Sequence, residues 1–315
     1  MGKRVSAKLI SGGLTLALTA CFIGDIEEKS TSAVVFAAGY DSSGRATVWK
    51  DNAVFWRMEG QGGAFYSVCM SGNTVYAVGQ TPNGRPFYWK STEGNTFHYI
   101  GSGQGYATSV CVAGGQMYVT GWDVSGGKVW RDGVIQYDLG SDASPWAISV
   151  PGSGNSVYVA GWNDYSGCVW LNGELINHMD GVNAAFYSVD VSSGAFYAAG
   201  EFERRPVWKK AGDSIIHTLG SGVGMATSLQ LSGDYLHIVG HDGGNGKVWR
   251  GLAQGTAMSA LFDLGVGARP ESVFVLGGDV YSGGWRDGGK VWKNNITLHN
   301  FGADSDVYSI FVVSQ

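Results

Sequence analysis

From residue 33 to the C-terminus, apolar and polar positions alternate with a period of two in short runs, and small clusters of Gly, Asp, Asn and Ser separate the runs. Such alternation sends successive side chains to opposite faces of an extended chain, so each run reads as a β-strand and each separator as a tight turn. The stretch from Ser109 to Gly140 shows the unit. SVCVA leads through Gly-Gly into QMYVTG, then a Gly-rich turn, then GGKVWR, and finally VIQYDLG. Four short strands therefore fill about forty residues.

That unit recurs seven times. A Trp preceded by Val or Tyr falls at Trp49, Trp89, Trp130, Trp170, Trp208, Trp249 and Trp292, with spacings of 40, 41, 40, 38, 41 and 43. A Ser inside an alternating apolar run keeps the same register at Ser67, Ser109, Ser149, Ser188, Ser228, Ser272 and Ser309. A Gly closes the next run at Gly39, Gly79, Gly121, Gly161, Gly200, Gly240 and Gly284. Four strands per unit is the size of a propeller blade, and seven units form a ring. An open solenoid would need atypical polar caps on its end repeats, whereas here the first and last copies match the rest. The expected fold is all-β, a seven-bladed β-propeller with four antiparallel strands per blade. Naming the Ser run inner strand A, the next B, the Trp run C and the outermost D, the chain begins on a B strand at 34–39 and ends on an A strand at 307–313. The ring is then closed by N-terminal B, C and D strands pairing with the C-terminal A strand, which removes an exposed inner edge.

Composition agrees. The 315 residues include 51 Gly, 12 Trp, 15 Tyr and 13 Phe, which excludes both a disordered chain and a helical bundle. With 26 acidic and 21 basic residues and no basic run longer than two, the chain lacks the footprint of a nucleic-acid partner.

Residues 1–20 differ from the rest. Lys3, Arg4 and Lys8 precede the mostly apolar run Leu9 to Ala20, too short to span a bilayer and organised like a signal peptide. The run ends Leu18-Thr19-Ala20-Cys21, which resembles the bacterial lipobox and implies cleavage before a lipidated Cys21, with residues 21–32 as lipidated Cys and tether and 33–315 as the propeller. Cleavage would remove three cationic residues and take the net charge from −5 to −8. Two or more acyl chains anchor a protein stably, so the membrane contact expected is through lipid alone. Phe22 after the cysteine resembles the Gram-negative sorting signal for the outer membrane. Asp25, Glu27 and Glu28 resemble the acidic stretch that carries some such lipoproteins to the cell surface.

Residues present once per blade build the blade. The seven Trp are expected to wedge between neighbouring sheets, and the seven Ser to suit a crowded axis. His98, His178, His217 and His299 precede the end of an outer strand on four different blades, so they cannot converge on a metal. Cys69 and Cys111 hold the same place on consecutive A strands; a disulfide between them and two buried free thiols are both open, and Cys168 lies on a C strand.

The period and strand order across residues 33–315 resemble those of WD-repeat and bacterial β-propeller repeat proteins. The GH and WD dipeptides of the former are missing, so the resemblance implies a fold and transfers no functional residue.

A site is expected on the face where B–C and D–A loops emerge, because the residue after the marker Gly varies there: Tyr40, Gln80, Trp122, Trp162, Glu201, His241 and Trp285. Tyr106, Trp146, Met225, Arg269 and Asp306 enter the A strands nearer the axis, and Arg204 stands in the shortest loop. Flat rings beside Asp41, Asp123, Asp164, Asp242 and Asp287 suit sugars or extended peptides, although Asp before Gly is also ordinary turn chemistry. The chain carries no GxSxG, HExxH, Walker or EF-hand motif and implies no cofactor. The first expectation is a lipid-anchored envelope propeller that binds a glycan or protein without catalysis. The alternatives are a polysaccharide-active enzyme at the same face, with Glu201 or Glu203 and Asp164 as a conceivable carboxylate pair, and a scaffold subunit.

Overall fold

The computed structural model describes residues 32–60, 62–180 and 184–315. The signal peptide expected at 1–20, Cys21 and the tether up to residue 31 lie outside these. Residues 33–315 form one compact unit. Its strands assemble into seven four-stranded antiparallel sheets arranged as a ring, a seven-bladed β-propeller. Among the described residues one short 3-10 turn, Ser91–Glu93, interrupts the strands, and no helix is long and apolar enough to cross a membrane.

Blade 1 contains both ends of the unit. Its B, C and D strands are Ala33–Tyr40, Ala46–Lys50 and Ala53–Arg57, and its inner strand is the C-terminal Asp306–Ser314. The two termini pair antiparallel from Ala33 with Ser314 to Tyr40 with Asp306, so the ring closes as expected. Blades 2 to 7 follow in chain order with inner strands Ala64–Ser71, Gly105–Ala113, Ala143–Ser149, Ala185–Ser192, Gly224–Ser232 and Arg269–Leu276.

The core consists of seven apolar clusters, each drawn from two adjacent blades. Period-two alternation explains this: the C strand sends its Val to one neighbour and its Trp to the other. In blade 1, Val48 packs against Phe65 and Val68 of blade 2, while Trp49 packs against Tyr281 and Val291 of blade 7. All seven repeat tryptophans are buried, as expected of wedges.

One of them faces the other way. In blade 5 the marker Gly200 pairs with Val207, so Trp208 opposes Ala199, whereas in blade 3 Gly121 pairs with Lys128 and Trp130 opposes Val119. Trp208 follows its marker Gly200 by one residue fewer than Trp130 follows Gly121. With the two-residue turn kept, the C strand slips by one, and a slip of one exchanges the two faces. Trp208 therefore packs towards blade 6, and Lys209 takes the tryptophan position, buried, with its Nζ donating to the Asp213 carbonyl at 2.8 Å. This slip removes one residue from the spacing before Trp208.

The serine marker has a use that smallness alone does not describe. Ser309, Ser67, Ser109, Ser188, Ser228 and Ser272 each accept, through Oγ, the backbone N–H of the residue after the equivalent position on the next blade: Val68, Val110, Ile148, Leu229, Val273 and Ile310, at 3.0–3.3 Å. Six of the seven blade junctions are clasped this way. Blade 4 is a correction: Ala147, not Ser149, pairs with Ala160 in the place that serine holds elsewhere. Ser149 lies two residues further along, in the row of Cys69 and Cys111, and the Val189 N–H receives no serine acceptor.

Cys69, Cys111 and Cys168 are free thiols. Burial pushes Cys69 up to about 12 and raises Cys111 further, so neither is a nucleophile at neutral pH.

Candidate functional site

In every blade the A strand carries one more residue than its B partner near the start of the pair. The ladder skips from Phe65 to Ser67, Ala107 to Ser109, Pro145 to Ala147, Phe186 to Ser188, Ala226 to Ser228 and Pro270 to Ser272, and from Val307 to Ser309 in blade 1. A bulge of this kind bends the strand and re-aims the extra side chain. It also explains the marker Gly. A Cβ at Gly39, Gly79, Gly121 or Gly200 would overlap the carbonyl oxygen of Asp306, Ala64, Tyr106 or Ala185 on the bulged strand.

The seven bulged residues, Tyr308, Tyr66, Thr108, Trp146, Tyr187, Thr227 and Glu271, together with Met225, line a single cavity of about 360 Å³. They occupy inner strands near the end where the B–C and D–A loops emerge, so the cavity is the axial mouth of that face. Around it runs a continuous series of rings: Tyr40 to Tyr308 at 6.0 Å, Tyr308 to Tyr66 at 5.3 Å, Tyr66 to Tyr106 at 5.7 Å and Tyr106 to Trp122 at 4.8 Å. Trp122 to Trp146 at 5.4 Å and Trp146 to Tyr187 at 6.0 Å complete the arc, which crosses five blades.

The remaining sector is polar. Tyr40, Arg269, Glu271, Trp285, Asp306 and Tyr308 line an adjoining pocket of about 450 Å³ that shares Glu271 and Tyr308 with the axial cavity. Two carboxyl groups from adjacent inner strands meet here. Burial pushes Glu271 up to about 8, with the Asp306 charge adding to the rise and Arg269 opposing it. Asp306 is raised by burial to about 6, against a bond from the Val307 N–H at 2.8 Å and the nearby Arg269. Burial, assisted by the neighbouring Glu201, also raises the phenol of Tyr187, which donates to Glu201 Oε1 at 2.8 Å.

The structure brings most of the sequence-predicted residues together. Tyr40, Tyr106, Trp122 and Trp146 belong to the arc, Arg269 and Trp285 to the polar sector, and His241 joins Arg269 and Trp285 in a third pocket of about 470 Å³. Glu201 is tied to the arc through Tyr187. Trp146 does not occupy an A-strand entry; Ser144 pairs with Trp162 there, and Trp146 is the bulged residue.

Two predicted residues stand apart. Trp162 contacts Tyr165 of its own turn at 6.4 Å, and Arg204 is an exposed left-handed turn residue whose carbonyl accepts from the Gly224 N–H at 2.8 Å. Asp164 and Glu203 are exposed left-handed turn residues as well.

The Asp residues divide similarly. Asp123 accepts from the backbone N–H groups of Ser102 and Ser125, and although burial pushes it up these bonds hold its carboxyl below the usual range. Asp41 and Asp242 likewise accept from loop N–H groups, which is the turn chemistry set out above.

Tyr66, Tyr187, Glu271 and Tyr308 are the functional candidates that sequence reasoning missed. Their signal was the residue immediately ahead of each marker Ser, which reads Tyr, Thr, Ile, Tyr, Thr, Glu and Tyr, the Ile preceding the out-of-row Ser149. Among the described residues no cluster of three His, Cys, Asp or Glu could hold a metal ion.

No protein-family model and no curated protein sequence matches the chain. Among solved structures it is similar to the computationally designed Ika8 protein, with 19% identity, a TM-score of 0.58 and coverage of 91% of this chain and 94% of that one. It is also similar to the WD40 β-propeller domain of Doa1, with 17% identity, a TM-score of 0.58 and coverage of 88% and 95%. A chain of a nidogen/laminin complex gives 15% identity, a TM-score of 0.52 and coverage of 90% and 100%. At these identities the likeness concerns the fold alone.

Proposed function

We propose that this protein is a lipid-anchored propeller of a Gram-negative bacterial envelope, held by Cys21 at the outer membrane, that binds a glycan or protein ligand through its B–C and D–A loop face. The observation that carries the binding reading is the arc of seven rings around the axial mouth, from Tyr40 to Tyr187. Ring faces cover the C–H surface of a sugar or the side chains of a peptide, while Glu201, Arg269 and Asp306 beside them offer partners to hydroxyls or amides. The anchoring reading rests on Leu18-Thr19-Ala20-Cys21 and is tested by the mass of the mature N-terminus, which should carry acyl chains that are lost in Cys21→Ala.

A glycan array probed with the full chain tests the face. Trp122→Ala should remove binding, and Trp162→Ala, which changes a ring outside the arc, should leave it. Binding that persists without Trp122, Trp146 and Tyr106 together would overturn the proposal.

One observation favours the enzyme reading as a second possibility. Glu271 and Asp306 are carboxyl groups held above their usual range in one pocket on adjacent strands, and paired carboxyls flanking a sugar-binding cleft are the apparatus of glycoside hydrolysis. Release of reducing ends from a bound glycan, lost in both Glu271→Gln and Asp306→Asn while binding is kept, would move the assignment to that reading.

A further inference from the structure

The axial cavity differs in chemistry from the rim around it. Among the described residues, four of its eight lining side chains are aromatic, Glu271 is the only carboxyl, and no Lys, Arg or His lines it. Most of its hydroxyls are already committed. The single Thr108 Oγ1–H is shared between the carbonyls of Thr120 and Pro145, that of Thr227 between those of Val239 and Pro270, and Tyr187 donates to Glu201. The Tyr308 hydroxyl is engaged with Tyr40. A sugar ring needs several donors and acceptors at once, and this lining has few left to give. Its volume of about 360 Å³ is at the small end of ligand pockets, enough for one compact group.

Aromatic walls with a single carboxyl form an environment that attracts positive charge, because the ring quadrupole presents its negative face to a cation. We infer that the axial cavity binds an organic cation, an alkylammonium or quaternary ammonium group, seated among Tyr66, Trp146, Tyr187 and Tyr308 with its charge met by Glu271. This deepens the loop-face reading and rests on it for the place of the ligand: the rim holds the body of the ligand and the axial cavity its cationic group.

A proton linkage follows. Burial pushes Glu271 up to about 8, which keeps most of it protonated at neutral pH. The groups that face it are Asp306 and Tyr308 of blade 1, Arg269 of its own strand and Tyr187 of blade 5. A bound cation favours the ionised carboxyl and expels its proton, so affinity should rise with pH up to about 8 and level off above.

The test is calorimetric titration of the full chain with choline and with dimethylbutanol, which has the same shape without the charge. Choline should bind at least about tenfold more tightly than the alcohol. It should release protons near neutral pH, seen as a dependence of the heat on the buffer. Glu271→Gln should lower choline affinity about tenfold, abolish proton release and leave the alcohol unchanged, and Trp146→Ala should weaken choline binding in a protein of unchanged thermal stability. Butylammonium and glucosamine, titrated in parallel, separate a lysine-like source of the cation from an amino sugar. Equal affinities for choline and the alcohol, an unaffected Glu271→Gln, or no binding by any of the three cations would overturn the inference. In that last case, glycan binding that still depends on Trp122 would leave the loop-face reading standing, and cation binding without any glycan binding would do the reverse.

Discussion

Replacing Ser188 by Ala removes one clasp of the ring and tests whether the serine marker acts through its hydrogen bond. Ser188 is buried, and its Oγ accepts the Leu229 N–H at 3.0 Å in a buried setting across the junction of blades 5 and 6. A made hydrogen bond contributes only about 0.5–1.5 kcal/mol, but an N–H left buried without an acceptor costs about 1–3 kcal/mol. The expected loss is therefore about 2 kcal/mol, or a fall of about 4 °C in melting temperature for a domain of this size. Blade 4 provides the converse. Ala147→Ser places a hydroxyl where the other six blades have one, within reach of the Val189 N–H, and should add about 0.5–1 kcal/mol. Ser149→Ala alters the serine that looks periodic in sequence but sits in another row, where its hydroxyl donates to the Asp190 carboxyl rather than accepting across a clasp, and should cost about 0.5–1.5 kcal/mol. Urea unfolding followed by tryptophan fluorescence gives all three values from shifts of the midpoint at constant slope. No loss for Ser188→Ala, or destabilisation by Ala147→Ser, would refute the clasp.

Gly79→Ala should destabilise the protein by about 3 kcal/mol or more, because its Cβ would overlap the Ala64 carbonyl and the Phe65 backbone at a bulge that cannot retreat; thermal unfolding checks this. Glu271 binds its proton more tightly folded, at about 8, than unfolded, at 4.5, so its contribution to stability is complete below 4.5 and is lost as pH rises through 8. Glu271→Gln should accordingly stabilise the protein by about 1 kcal/mol or more at pH 8 and leave it unchanged at pH 4, measured by urea midpoints at the two values. Cys69, Cys111 and Cys168 should resist alkylation in the folded protein and react on unfolding, as peptide mass mapping would show, since burial raises all three thiols.

The number of blades, the role of each strand and the joining of the termini were legible in the sequence because all seven blades solve one packing problem. The same residue therefore returns at the same place: Trp on strand C, Ser on strand A, Gly at the end of strand B. Irregularities in that recurrence were not legible. The spacing of 38 before Trp208 did not reveal that the strand had changed faces, and Ser149 kept the period while leaving the row, because register is set by turn geometry and hydrogen-bond pairing rather than by residue count.

The candidate site divides along the same line. Tyr40, Trp122 and Trp285 could be found from sequence, since they vary at a fixed place after the marker Gly. The axial residues could not, because their direction depends on a bulge that exists only once strand A is laid against strand B. That bulge turns Glu271 and Tyr308 towards the axis beside Tyr66 and Tyr187, residues up to about 240 positions apart in the chain, and only the closed ring brings them to one cavity. Periodicity determined how each blade is built; the chemistry at the centre was decided by which side chains the bulges aim at one another.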